Sequence, residues 1–154
     1  MGCGTGVTLS MLRKNYNTVG IDISKYAIKL TKKRQKNVCI ANARNLPFKD
    51  KSFNFAFALG VLEHCSVEEI QKIVDEILRV SDDLMSTVPK RNGAIDMSSR
   101  LFKFFGWKWI FPDEKYYDKI FLINVLKKYT KKYELKIEIL FFYSAWLITL
   151  KGRE

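Results

Sequence analysis

The chain has 154 residues, 47% hydrophobic and 28% charged, a balance that supports one domain with a packed core and excludes wholesale disorder. Three scattered cysteines (Cys3, Cys39, Cys65) and one histidine, His64, exclude a disulfide scaffold, offer no zinc-binding spacing, and exclude any mechanism that needs two histidines. The net charge is +11, and the longest apolar run, Ile139 to Leu150, falls short of the roughly 18 residues of a membrane-spanning helix.

The thiols read as reduced, in a cytoplasmic protein. Met1-Gly2-Cys3-Gly4 has none of the basic and apolar regions of a signal peptide. In chain order, a short helix opens from a glycine turn over 8–15. A buried strand over 18–22 ends in a carboxylate, Asp22. Ser24 is placed to cap a helix with a basic outer face. A second strand covers 38–41, and Asn45 to Ser52 has loop chemistry. Phe53 to Leu59 has almost no polar side chains, as expected of a strand covered on both faces. Ile70, Ile73, Val74, Ile77 and Leu78 recur at helical spacing over 67–80. A strand over 84–88 stops at Pro89. Strand and helix alternate up to this point, so the sheet should be mainly parallel.

After Pro89 the rhythm breaks. Residues 90–118 are aromatic and basic with no clear period. A helix is expected over 119–131, and strands over 134–140 and 145–150 should close the sheet as an antiparallel hairpin.

Gly2-Cys3-Gly4-Thr5-Gly6 is a side-chain-poor turn before a helix, which lets a ligand approach the backbone closely. A dinucleotide fingerprint would need its third glycine where Val7 stands, so NAD and FAD are disfavoured. Asp22 lies at the end of the next strand, where a carboxylate can accept hydrogen bonds from both hydroxyls of a ribose. The basic residues are densest at Lys25, Lys29, Lys32, Lys33, Arg34 and Lys36, and again at Lys127, Lys128, Lys131, Lys132 and Lys136. They read first as solvated helix faces, with an RNA footprint as the alternative.

G-C-G-T-G, then V-G-I-D-I-S, then A-N-A-R-N-L-P-F-K-D-K-S-F-N-F, then L-G-V-L-E-H-C resembles, across residues 1–88, the small-molecule branch of the class I S-adenosylmethionine-dependent methyltransferases. The resemblance implies an α/β, Rossmann-like methyltransferase fold: a mainly parallel, seven-stranded sheet with an antiparallel C-terminal strand. It implies S-adenosylmethionine as cofactor, with Gly2, Cys3, Gly4 and Gly6 along its methionine part. Asp22 then holds the ribose, and Ile23, Asn42, Ala43 and Leu59 lie around the adenosyl group. Asn42 stands where the family usually has an aspartate, and Asn54 replaces another at the strand start. No metal is implied.

The family's first strand runs into the glycine turn, and here only Met1 precedes Gly2. The expectation is a fold whose first strand is largely missing, from a chain shortened at its N-terminus by a misplaced start codon. Two neighbouring strands would then lack hydrogen-bond partners, at roughly 1–3 kcal/mol for each unsatisfied group.

The expected organisation is a single domain, 1–154. Residues 1–88 form the donor-binding half, 89–118 the acceptor-recognition insertion, and 119–154 the C-terminal helix and hairpin. Methyl transfer needs little acid–base chemistry beyond freeing the acceptor nucleophile. His64 is the expected base, Glu63 the weaker one, with packing of His64 against the following helix as the plainer reading. The segment 101–111, with four phenylalanines and two tryptophans, suits a small apolar or aromatic acceptor, a peripheral membrane contact, or simple cover for the sheet. The leading expectation is a small-molecule methyltransferase. The alternatives are an RNA (tRNA) methyltransferase and a non-catalytic methyltransferase-like binding module.

Overall fold

The structure is a computed structural model that describes residues 1–108, 113–140 and 144–153. Trp109, Ile110 and Phe111 of the aromatic segment, and Phe141 to Tyr143 of the apolar run, lie outside the described residues.

The N-terminal part alternates as expected. Helix α1 (Val7–Leu12) leads to β1 (Gly20–Asp22), α2 (Lys25–Lys32) and β2 (Val38–Ile40). Ser24 caps α2, its hydroxyl accepting from the Ala27 N–H at 3.2 Å. Strand β1 pairs with β2 in parallel, Ile21 opposite Cys39.

A second sheet follows. Strand β3 (Phe53–Leu59) leads through a 3-10 turn (Leu62–His64) into α3 (Val67–Val80) and β4 (Ser81–Pro89). Ser66 and Glu69 close a reciprocal cap on α3, each side chain bonded to the other's backbone N–H. Helix α4 (Ala94–Phe104), helix α5 (Lys119–Leu126) with a 3-10 extension (Lys127–Lys131), β5 (Tyr133–Leu140) and β6 (Ala145–Gly152) complete the chain. The second sheet runs β3-β4-β6-β5, with β3 parallel to β4 and β6 antiparallel to both β4 and β5. The expected C-terminal hairpin is therefore present, and its β6 arm docks on β4.

Two features differ from the sequence reading. The first is α4. Its buried residues are Asp96 and Ser99, while Met97, Leu101, Phe102 and Phe104 are exposed. Met97, Leu101 and Phe104 recur at helical spacing, but on the outward face, so their period marks an uncovered side rather than the core. The second is the state of β3. Among the described residues the implied seven-stranded sheet is six strands in two sheets, and β3 is an edge strand with Phe55 43% exposed.

Met1 to Cys3 bridge the two sheets where a central strand would lie. The Met1 amino group donates to the Phe57 carbonyl at 2.6 Å, and the Cys3 N–H donates to the Ile21 carbonyl at 2.9 Å. Met1 to Cys3 thus join the carboxyl ends of β1 and β3 by one hydrogen bond to each. The large core lies between the second sheet and helices α3 and α5, with Val74, Ile77, Leu84, Ile148 and Leu150 fully buried.

Candidate functional site

The glycine turn and the end of β1 meet. The Gly4 N–H donates to one oxygen of Asp22 at 2.9 Å, and the Ser24 N–H donates to the other at 2.9 Å. A carboxylate offers about four lone-pair sites, so two backbone donors leave capacity for further hydroxyl donors. The turn is held from behind by Thr31, whose hydroxyl donates to the Gly4 carbonyl at 2.7 Å. Gly6 has φ +78°, and a Cβ there would stand 2.5 Å from the Thr31 methyl carbon. Only glycine fits that position without displacement. Gly4 has φ +51°, and a Cβ there would meet nothing within 4 Å. The turn is therefore braced at Gly6 and open at Gly4, the residue joined to Asp22.

The other expected donor-site residues are placed around this point. Cys3 is half-buried, and burial, then the Asp22 charge, push its thiol pKa up. A Cβ on Gly2 would stand 2.5 Å from a Val61 methyl, tying the turn to the segment after β3. Ile23 is 66% exposed and Leu59 37% exposed, so the carboxyl ends of β1 and β3 present bare aliphatic surface. Ala43 packs against the main core. The Asn42 side-chain oxygen already accepts from the Arg44 N–H at 3.0 Å and from Arg44 Nε at 3.3 Å. Arg44 in turn pairs with Glu69. Neither of the two clefts described below is lined by these residues.

A ligand with vicinal hydroxyls and an apolar ring system fits this arrangement. The carboxylate has acceptor capacity, the backbone beside it is free of side chains, and two aliphatic groups are uncovered.

The two candidate bases differ in environment. His64 is exposed. Glu63 is 4% exposed, and its Oε2 has no hydrogen-bond partner among the described residues. Burial raises the Glu63 pKa, with the neighbouring Glu114 adding to it and His64 opposing. Glu63 lies three residues after Gly60, whose φ is +71°, and a Cβ there would approach Glu63 Oε1 to 3.7 Å. A glycine directly after a strand was the signal for this turn, and the sequence reading passed over it.

Beside Glu63 an open cleft of about 400 Å³ is lined by Arg91, Asp96, Arg100, Lys115, Tyr116, Tyr117, Asp118 and Phe121. The Lys115 N–H donates to the Glu63 carbonyl at 3.0 Å, which joins the cleft to the Glu63 turn. Buried Asp96 accepts from Arg100 Nε and Nη2 at 3.0 and 2.9 Å and from the Asn92 N–H at 2.7 Å. The Tyr117 and Phe121 rings stack at 4.9 Å, and burial pushes the Tyr117 pKa up to about 12. Most of these residues come from the region that periodicity could not read. Phe104, Phe105 and Trp107 are exposed and contact one another.

A family model for a methyltransferase domain matches residues 1–83. The chain belongs to the methyltransferase-domain family. Among curated relatives, an uncharacterised protein of Methanocaldococcus jannaschii is 41% identical over 90 residues, covering 57% of this chain and 35% of that protein. The tRNA (carboxymethyluridine(34)-5-O)-methyltransferase of Arabidopsis thaliana is 35% identical over 80 residues, covering 51% of this chain and 20% of that protein. The chain thus spans about a third or less of the length of these relatives. Among solved structures, a SAM-dependent methyltransferase of Methanosarcina mazei superposes with a TM-score of 0.74 at 21% identity, covering 99% of this chain and 91% of that one. A magnesium protoporphyrin IX methyltransferase of Synechocystis with bound SAH superposes with a TM-score of 0.71 at 16% identity, covering 98% and 72%. These likenesses establish the Rossmann-like methyltransferase fold. No metal-binding cluster and no helix able to cross a membrane occur among the described residues.

Proposed function

We propose that this chain is an S-adenosylmethionine-dependent methyltransferase domain acting on a small acceptor with a planar or apolar part. When bound, the donor supplies an electrophilic methyl group that a nucleophile displaces in line. Asp22 accepts hydrogen bonds from the ribose hydroxyls through the lone pairs left by Gly4 and Ser24. The open backbone at Gly4 admits the amino-acid part, and Ile23 and Leu59 give the adenine apolar contact. Residues 1–88 form the donor half. Residues 89–118 take the acceptor, and 119–154 complete the sheet beneath it.

Glu63 accepts the acceptor's proton. It is a buried carboxylate with an unpaired oxygen and a pKa displaced upward, towards the operating range of a general base. Exposed His64 is the lesser candidate. A cleft of about 400 Å³ walled by Tyr116, Tyr117 and Phe121, tied to the Glu63 main chain through the Lys115 N–H, is of a size that suits a small molecule.

A second reading, an RNA acceptor, is favoured by one observation: a relative 35% identical over 51% of this chain is a tRNA methyltransferase.

The observation that carries the donor reading is the 2.9 Å bond between the Gly4 N–H and Asp22. Titration calorimetry with S-adenosylhomocysteine tests it. Asp22→Ala should weaken binding at least about ten-fold, since a hydrogen bond to a charged group contributes about 1.5–3 kcal/mol. Asp22→Asn, which keeps one acceptor oxygen, should fall between. Unchanged affinity in both folded variants would refute the assignment.

A further inference from the structure

The charge of this chain is strongly polarised. Residues 1–49 hold ten lysines and arginines and a single acid, Asp22, so they carry +9 of the net +11. Of those ten cations only Arg44 has a carboxylate partner among the described residues. The remaining ion pairs of the described residues involve Lys51, Arg79, Arg100, Lys128 and Lys136. Residues 50–154 are nearly balanced, with 17 lysines and arginines against 15 acids, and the α1–α2 region is not.

The fold gathers these cations. Ile28 and Thr31 turn α2 inward, which leaves Lys25, Lys29 and Lys32 on its exposed side. At about 1.5 Å per residue, that track is about 10 Å long. It begins three residues after Asp22 and ends in an open cleft of about 370 Å³ lined by Arg13, Lys32, Lys33, Arg34, Gln35, Lys36 and Asn37, with no acid among them. The Arg13 guanidinium donates to the Arg34 carbonyl at 3.1 Å, fixing the end of α1 against the end of α2. Gln35 is buried and donates to the Thr18 hydroxyl at 3.0 Å, so the cleft floor is built. A concave surface of one sign focuses potential and attracts a polyanion.

We infer that the basic face of α2, with the cleft at its end, binds the phosphate backbone of a single-stranded nucleic acid. Two observations select a strand of nucleotides over a lipid surface. Tyr26 on α2 and Tyr16 after α1 are 72% and 67% exposed, aromatic faces among cations on which unpaired bases stack. Helix α2 exposes no aliphatic side chain, whereas a membrane-surface helix inserts an apolar face. The inference does not depend on the donor reading, and its test contains no methyl donor.

The test is fluorescence anisotropy with a labelled oligouridylate and its deoxy counterpart, over a series of salt concentrations. Affinity for either strand should fall steeply with salt, by a logarithmic slope of about 0.7 for each phosphate contacted. The combined variant Lys32→Glu, Lys33→Glu, Lys36→Glu should lose at least ten-fold, with the slope flattened by about two to three. All three side chains are exposed, so its thermal melt should match the parent's. A control variant of equal charge change, Lys127→Glu, Lys131→Glu, Lys132→Glu, should retain most of the affinity. Equal losses in the two variants would reduce the binding to net charge and overturn the proposal. So would absence of salt-dependent binding. So would phosphatidylserine vesicles, rather than either strand, being the probe whose binding the first variant abolishes.

Discussion

The two sheets of this protein are held by very different amounts of buried apolar surface. Among the described residues, the four-stranded sheet shares with α3 and α5 one continuous core of eighteen buried residues. The two-stranded sheet is held by two small clusters, Leu9 with Ile28 and Val38, and Ile21 with Leu46 and Val80. The proposed donor-site residues Gly4, Asp22 and Ile23 all belong to the weakly held part. Their geometry rests on polar ties: Asp22 to Gly4, Thr31 to Gly4, and Met1 and Cys3 across the seam. The contrast teaches that global stability and donor-site order are separable here. Segments with few buried contacts open at low free-energy cost, and a ligand that orders them raises their protection.

The largest expected effect breaks the strong side. Leu84→Ala, at a position 0% exposed on β4, should cost about 2–5 kcal/mol and lower the melting midpoint of the whole chain. Hydrogen exchange in the parent protein should show β4 and β6 protected most, and β1 and β2 least. Equal protection of both sheets would remove the contrast. Gly6→Ala attacks the weak side. Left-handed backbone costs an ordinary residue about 1–2 kcal/mol, and the new methyl group also meets Thr31. Exchange in α1 and β1 should speed up and affinity for S-adenosylhomocysteine should fall, while β4 and β6 keep their protection. Gly4→Ala bears the conformational cost without the collision, so it should disturb exchange less.

How much of this was legible depended on whether a residue's role follows from its neighbours in sequence. Ser24, Asp22 and the α3 pattern are local signals, and the structure places each as read. The strand over 53–59 was found, but its full burial was not. Burial of both faces and edges depends on neighbours that sequence does not show, and among the described residues β3 pairs with β4 on one edge only. Helix α4 carries a helical spacing at Met97, Leu101 and Phe104, but it buries Asp96 and Ser99 instead, so its periodic face misleads about which side meets the core. The basic stretch 25–36 was visible as composition. Its lack of carboxylate partners is a property of the folded surface, since Arg79, in the more neutral half, meets Asp50 only through the fold.

Glu63 stands at the seam between the two regions, and it allows the subtlest test. Its carboxyl is buried and its pKa raised. As pH climbs past the ordinary glutamate value of about 4.3, the unfolded chain loses this proton first and the native state retains it. Stability therefore falls as pH rises through the native pKa, and the cost is complete above it. Glu63→Gln removes the charge while keeping the shape. The variant should melt higher than the parent at neutral pH by about 2–4 °C, corresponding to about 1 kcal/mol for relieving an unpaired buried charge. The gap should shrink as the solution is acidified towards the ordinary glutamate range, because both states of the parent are then protonated. If Glu63 takes the acceptor's proton, the same variant gains stability and loses methyl transfer, while its affinity for S-adenosylhomocysteine is unchanged. A variant less stable than the parent at every pH would show instead that the carboxylate is held by a partner and that its charge costs nothing.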